Sequence, residues 1–149
     1  MDNEIKKDLA SNWFKLLQNA ICDDIIKLEN NKINFQSTTW KRSKSKDEGG
    51  GEYRILKDGK IFEKVGVNFS KVNGKFPKKF QKNILGASKD PRFWASGISI
   101  VMHMQNPHIP AMHFLTLDIF AQHKIGLVEE WMLLLQSEII RKKVNFIKL

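Results

Sequence analysis

The chain has 149 residues, of which 42% are hydrophobic and 10% aromatic, enough for one domain with a core and enough to exclude wholesale disorder. Lys and Arg total 25 against 16 Asp and Glu, a net charge of +9 that favours anionic partners: nucleic acid, acidic membranes or a polycarboxylate. No apolar run approaches the ~18 residues of a membrane span, the N-terminus lacks a signal-peptide pattern, and the single Cys22 excludes an internal disulfide framework or a multi-cysteine zinc site. Composition therefore implies a soluble basic protein, expected in the cytoplasm.

The first thirty residues carry a helical period. Ile5, Leu9, Trp13, Leu16, Leu17, Ala20, Ile21, Ile25 and Leu28 recur every three or four residues, with Lys6, Lys7, Asp8, Asp23 and Asp24 largely off that stripe. The spacing predicts one amphipathic helix buried along this stripe and ending near Asn30-Asn31. Cys22 falls beside the stripe and reads as an ordinary small residue of the core or its flank. Next come a short apolar patch at residues 33–35, then Trp40, then a polar, glycine-ended run from Lys41 to Gly51 that reads as a mobile loop. Plain linker is the simpler reading; backbone N–H groups cradling an anion are the alternative, without the Gly-Lys-Ser/Thr of a Walker motif.

From Glu52 the period becomes two. Tyr53 and Ile55, then Ile61, Glu63, Val65, Val67 and Phe69, read as a hairpin closed by Asp58-Gly59. Val72-Asn73-Gly74-Lys75 offers a second turn, followed by a basic stretch from Phe76 to Pro91. A further strand is predicted over 98–104, with Ser99, Val101 and His103 on one face and Ile98, Ile100 and Met102 on the other. Asn106-Pro107-His108-Ile109-Pro110 forces a turn-rich exit. In the tail, Val128, Trp131, Met132, Leu135 and Ile139 fit a helix. The fold class is α+β, an antiparallel sheet flanked by helices.

Three histidines, His103, His108 and His113, fall close together in this region. Imidazole near neutral pH moves protons or binds divalent metals, and the proline-stiffened exit could bring His113 back over the face of Ser99 and His103. The plainer reading is scattered polar residues at a strand end. No HxH or HExxH spacing supports a metal site by itself.

Longer motifs are more specific. Gly49-Gly50-Gly51-Glu52-Tyr53-Arg54-Ile55-Leu56 and Ile61-Phe62-Glu63-Lys64-Val65-Gly66-Val67-Asn68-Phe69-Ser70, closing on Gly74, resemble oxygen-dependent coproporphyrinogen III oxidase. That family shows a glycine run, an SRVL-like strand and VFEKAGVNFSxVxG. Gly97 to His113 is similar to the family's GVSLVxHPxNPxxPTxH, with Met104 and Ala111 standing where the family prefers Pro and Thr. The resemblance runs from about Trp40 to Phe114. It implies a large antiparallel sheet with helices on both sides, a homodimer, and a haem-biosynthetic reaction. In that reaction two propionates of coproporphyrinogen III become vinyl groups, dioxygen being the oxidant and protoporphyrinogen IX the product.

The same resemblance makes Ser99 a substrate contact and His113 the catalytic proton donor. His103 and His113 match positions assigned to a divalent metal in bacterial members, and no organic cofactor is implied. A tetracarboxylate suits a basic site, so Arg54 and nearby lysines are candidates to pair with propionates in a basic hollow between helix and sheet.

After Phe114 the family pattern stops. Leu115-Thr116-Leu117 stands where the family has the end of HxNxR, and no Trp-Phe-Gly-Gly-Gly run follows. Reading the codons one base out of phase, with permitted choices, restores that continuation, and Trp131-Met132 then forces Asp where the family has Asp. The expectation is a partial oxidase domain over 1–114 and an out-of-frame tail over 115–149, with weak or absent activity. The rival classes are a small basic module for nucleic acid or another polyanion, with Phe76, Phe80, Phe93 and Trp94 interleaved with lysines, and a noncatalytic remnant that associates through an exposed sheet. Those aromatics are more simply core, and the preferred reading has no nucleic-acid partner.

Overall fold

The computed structural model describes residues 2–81, 87–121 and 124–134. Helix α1 (Asn3–Leu28) opens the chain, with the Asp2 side chain accepting the Glu4 N–H at its N-cap. It stops where Asn30 and Asn31 take positive φ of 56° and 57°, the left-handed conformation that asparagine tolerates. Strands β1 (Gln36–Lys41), β2 (Gly49–Lys57), β3 (Phe62–Lys75), β4 (Arg92–Met104), β5 (Ala111–Ala121) and β6 (Lys124–Leu134) follow, with a single turn of helix, α2 (Lys78–Gln81), between β3 and β4. The strands form one sheet in chain order, every neighbour antiparallel. This is the α+β architecture implied by the sequence, a helix on an antiparallel sheet.

The core lies between α1 and one sheet face. Phe14, Cys22 and Ile25 from the helix meet Leu56, Phe62, Val65, Val67, Ile98 and Ile100 from β2, β3 and β4. Gln18 is wholly buried among them, its Nε2 donating to the carbonyls of Glu52 (2.9 Å) and Val67 (3.1 Å). These bonds offset the cost of burying an amide.

This seating corrects the predicted stripe. Ile5, Leu9, Trp13 and Leu16 are 52–62% exposed, and Ser11, Phe14, Gln18 and Cys22 face the sheet instead. At ~100° per residue, positions 5, 9, 13, 16 and 20 lie on the opposite side of the helix from 11, 14, 18, 22 and 25. The helix is apolar on both sides, and periodicity alone picked the longer stripe. Of the predicted stripe, Ile25 is in the core, and Leu17 and Ile21 pack against it partly buried.

Three further expectations change. Gly49, Gly50 and Gly51 belong to β2, not to a loop; all three pair with β3, and Gly50 and Gly51 pair with β1 as well. Their backbone is spent on the ladder, and a Cβ at Gly51 would come within 3.0 Å of the Trp40 ring. Asn73-Gly74 forms no turn: β3 runs on to Lys75 because β4 continues beside it, with Phe93 packed over Gly74 and stacked on Phe76 at 4.8 Å. Val128, Trp131 and Met132 lie in β6, a strand rather than a helix, since pairing with β5 satisfies backbone groups that edge would otherwise expose. Leu135 and Ile139 lie outside the described residues, as does His123.

Candidate active site

The β4–β5 hairpin builds the site. Because side chains alternate along a strand, burial of Ile98 and Ile100 against α1 turns Ser99, Val101 and His103 to the opposite face. The predicted alternation holds. The turn at 105–110 is pinned by Gln105, whose backbone N–H donates to Ile61 O and whose Nε2 donates to Gly59 O, both at 2.9 Å. It closes on itself through Ile109 N–H to Asn106 O at 3.1 Å. The chain therefore returns with His113 opposite Val101 and Leu115 opposite Ser99.

The result brings His103 and His113 together on one face, ring centroids 6.0 Å apart and planes at 57°. Both are partly exposed, as are Ser99 and Val101. His108 is not part of the group; it is exposed in the turn, its N–H donating to Asn106 Oδ1 at 2.9 Å. Beside Val101, Gly66 leaves the floor open, since a Cβ there would meet nothing within 4 Å.

Arg54 is elsewhere. It pairs with Val67, whose side chain is in the core, so Arg54 points to the α1 side of the sheet. There its Nε donates to Glu52 Oε1 at 2.6 Å, and Lys15 bonds the other oxygen of the same carboxylate. Lys15 and Arg54 together hold the Glu52 carboxyl down at about 2. Burial works against the Arg54 charge, but Glu52 outweighs it and raises the guanidinium's affinity for its proton. Burial pushes the neighbouring Cys22 thiol up, with Arg54 opposing. Arg54 thus ties α1 to β2, and the sheet separates it from Ser99, His103 and His113.

The basic hollow also lies on the α1 side. Lys15, Lys41, Lys44, Lys46 and Lys71 line an open cleft of about 1050 Å³ next to the glycines of β2. Sequence reasoning therefore found the two halves of the expected site but not that a sheet stands between them.

It missed two neighbours of the histidine face. Asn68 pairs directly with Ser99 and shares its face, and Trp40 Nε1 donates to Asn68 Oδ1 at 3.2 Å. Alternation from Val67 puts Asn68 opposite the core face, but only the β3–β4 register sets it beside Ser99.

A divalent ion at the imidazole pair would need further protein ligands. Among the described residues no third His, Cys, Asp or Glu completes a group, whereas such ions take three or more protein ligands in their usual sites.

The geometry is thus an open sheet face bearing paired imidazoles and a serine, on a sheet backed by a helix. Residues 10–132 match the family model described as coproporphyrinogen III oxidase. The chain is 42% identical over 122 residues to the oxygen-dependent coproporphyrinogen-III oxidase of Rickettsia typhi, covering 76% of this chain and 42% of that protein. The enzyme of that name from Rickettsia felis is 42% identical over 118 residues (74% of this chain, 41% of the relative). That from Rickettsia bellii is 40% identical over 122 (76% and 42%). The chain belongs to the coproporphyrinogen III oxidase family, and it spans about two fifths of the length of these relatives. No helix among the described residues is long and apolar enough to cross a membrane.

Proposed function

We propose that the histidine-bearing face is part of a porphyrinogen site for the aerobic oxidative decarboxylation of coproporphyrinogen III to protoporphyrinogen IX in haem biosynthesis, in the cytoplasm. The carrying observation is that Ser99, His103 and His113 meet on one open face although the chain between them turns back on itself. For each propionate, the carboxyl carbon leaves as carbon dioxide and two electrons pass to one dioxygen, which with two protons becomes hydrogen peroxide; the remaining two carbons become the vinyl group. In this reading His113 passes a proton to or from the porphyrinogen edge, and the Ser99 hydroxyl donates to a carboxylate or accepts from a pyrrole N–H. A divalent ion, where present, would be held by His103 and His113 and would polarise bound oxygen atoms.

The face has no covering layer among the described residues, so water is not excluded and turnover by the chain alone is expected to fall below ~1% of a full-length relative's, the loss of roughly 3 kcal/mol of transition-state stabilisation. Homodimer formation, a family expectation, belongs to the same proposal. The test is titration of the purified chain with coproporphyrin III, followed by tryptophan quenching, beside a fluorescence assay for protoporphyrin. Saturable binding that weakens in Ser99→Ala and His113→Ala supports the reading. Binding that ignores both substitutions sinks it, and turnover near that of a full-length relative overturns the expectation of weak activity.

The lysine cleft on the α1 side supports a second reading, a polyanion module. Salt-sensitive oligonucleotide binding that falls in Lys44→Gln/Lys46→Gln would favour it. Phe76 and Phe93 stack on each other, which removes two aromatics from base stacking.

A further inference from the structure

We infer that Asn68 is a carboxylate-reading residue of the histidine face, aimed by Trp40. The inference rests on the porphyrinogen-site reading and adds a substrate contact to it.

Asn68 lies directly across the β3–β4 ladder from Ser99, on the face that also carries His103 and His113. An amide side chain has a donor end and an acceptor end, and which one faces outward decides what it binds. Here the partner settles it. The indole N–H of Trp40 is a donor only, so the atom it meets at 3.2 Å is Oδ1, and the Nδ2 hydrogens turn away from the indole. Trp40 is itself fixed: it pairs with Gly51, and its ring lies over that residue, where a Cβ would stand 3.0 Å from ring carbons. A partly exposed amide whose oxygen is turned to the indole presents its N–H donors on the other side, where an anion is the complementary partner.

The ligand chemistry is a carboxylate of a propionate-bearing tetrapyrrole, reaching Asn68 and Ser99 together. Ser99 alone does not choose between acid and ester, because a hydroxyl both donates and accepts. Asn68 does, since its outward end only donates and gains most from a charged acceptor.

The experiment compares binding of coproporphyrin III with its tetramethyl ester by the unaltered chain and by Asn68→Asp, Asn68→Ala and Trp40→Phe. N68D keeps the acceptor for the indole, so folding is retained and read by circular dichroism, but it presents an anion to the ligand. The unaltered chain is expected to prefer the acid, N68D to lose about tenfold or more in acid binding with ester binding unchanged, and N68A to lose less. Trp40→Phe, acting through orientation, is expected to shrink the acid-over-ester ratio rather than lower both affinities together. If the unaltered chain binds and prefers the acid while N68D keeps that preference, this assignment fails and the porphyrinogen site stands. If the unaltered chain binds neither ligand, the site reading fails and takes the assignment with it.

Discussion

Glu29 Oε1 accepts the backbone N–H of Phe62 at 2.8 Å, joining the C-terminal end of α1 directly to the turn of the β2–β3 hairpin. The same carboxylate takes the N–H groups of Ile61 (2.9 Å) and Lys60 (2.6 Å), and it is almost fully buried. Burial opposes its ionisation, but the N–H bonds from Phe62, Ile61 and Lys60 outweigh that and hold the carboxyl below its ordinary value. Glu29→Ala orphans three donors, and a loss of about 2–4 kcal/mol is expected. Urea unfolding of the purified variant checks it; a loss below ~0.5 kcal/mol would show that water replaces the carboxylate at no cost.

Gly59 sits against that clamp. A Cβ added there would lie 2.5 Å from Glu29 Oε1, so Gly59→Ala must displace the carboxylate. The two substitutions strike one network, and the double variant Gly59→Ala/Glu29→Ala is expected to lose clearly less than the sum of the singles. A double-mutant cycle in urea reads the coupling directly, and strict additivity would mean that the glycine has another role.

The Lys15–Glu52–Arg54 group gives stability a pH signature. With the folded Glu52 carboxyl at about 2 against an ordinary 4.5, the unfolded chain binds the proton more readily. The stabilisation is therefore fully present above about 4.5 and lost as pH falls toward about 2. Glu52→Gln is expected to flatten the urea midpoint over that window while leaving Glu29's part of the acid transition. An unchanged acid profile would remove Glu52 from the account.

The two apolar sides of α1 differ in energetic weight. Phe14 is buried at 3%, and Phe14→Ala is expected to cost about 3–5 kcal/mol through lost burial and a cavity. Trp13 is 60% exposed, and Trp13→Gln with Leu16→Gln is expected to change stability by under ~0.5 kcal/mol while reducing dye binding and self-association. Thermal melts with an apolar dye separate the two; a large loss in the Trp13 variant would place that ring in the core.

The segment from Leu115 onward makes a prediction about the gene. If it is read outside the family's frame, one added or missing base near the codons for Phe114 and Leu115 is expected on resequencing. Strand β5 crosses that junction without a break, and the family match extends to residue 132. An intact frame encoding Leu115-Thr116-Leu117 in close relatives would make these residues ordinary family sequence.

What the sequence determined by itself is local. The alternation that puts Ser99 and His103 opposite Ile98 and Ile100 is a property of one extended chain, and Asp58-Gly59 marks its turn through backbone chemistry, with Asp58 at a φ of 58°. The Asn30-Asn31 stop of α1 is local for the same reason. Only tertiary structure decided which side of α1 is buried, since both are apolar and the choice rests on Gln18 finding the carbonyls of Glu52 and Val67. Only register placed Asn68 beside Ser99 and Arg54 beneath the opposite face, because shifting one strand by a single residue exchanges its two faces. The pairing of His103 with His113 needed both: alternation chose the face, and the closed hairpin set the distance.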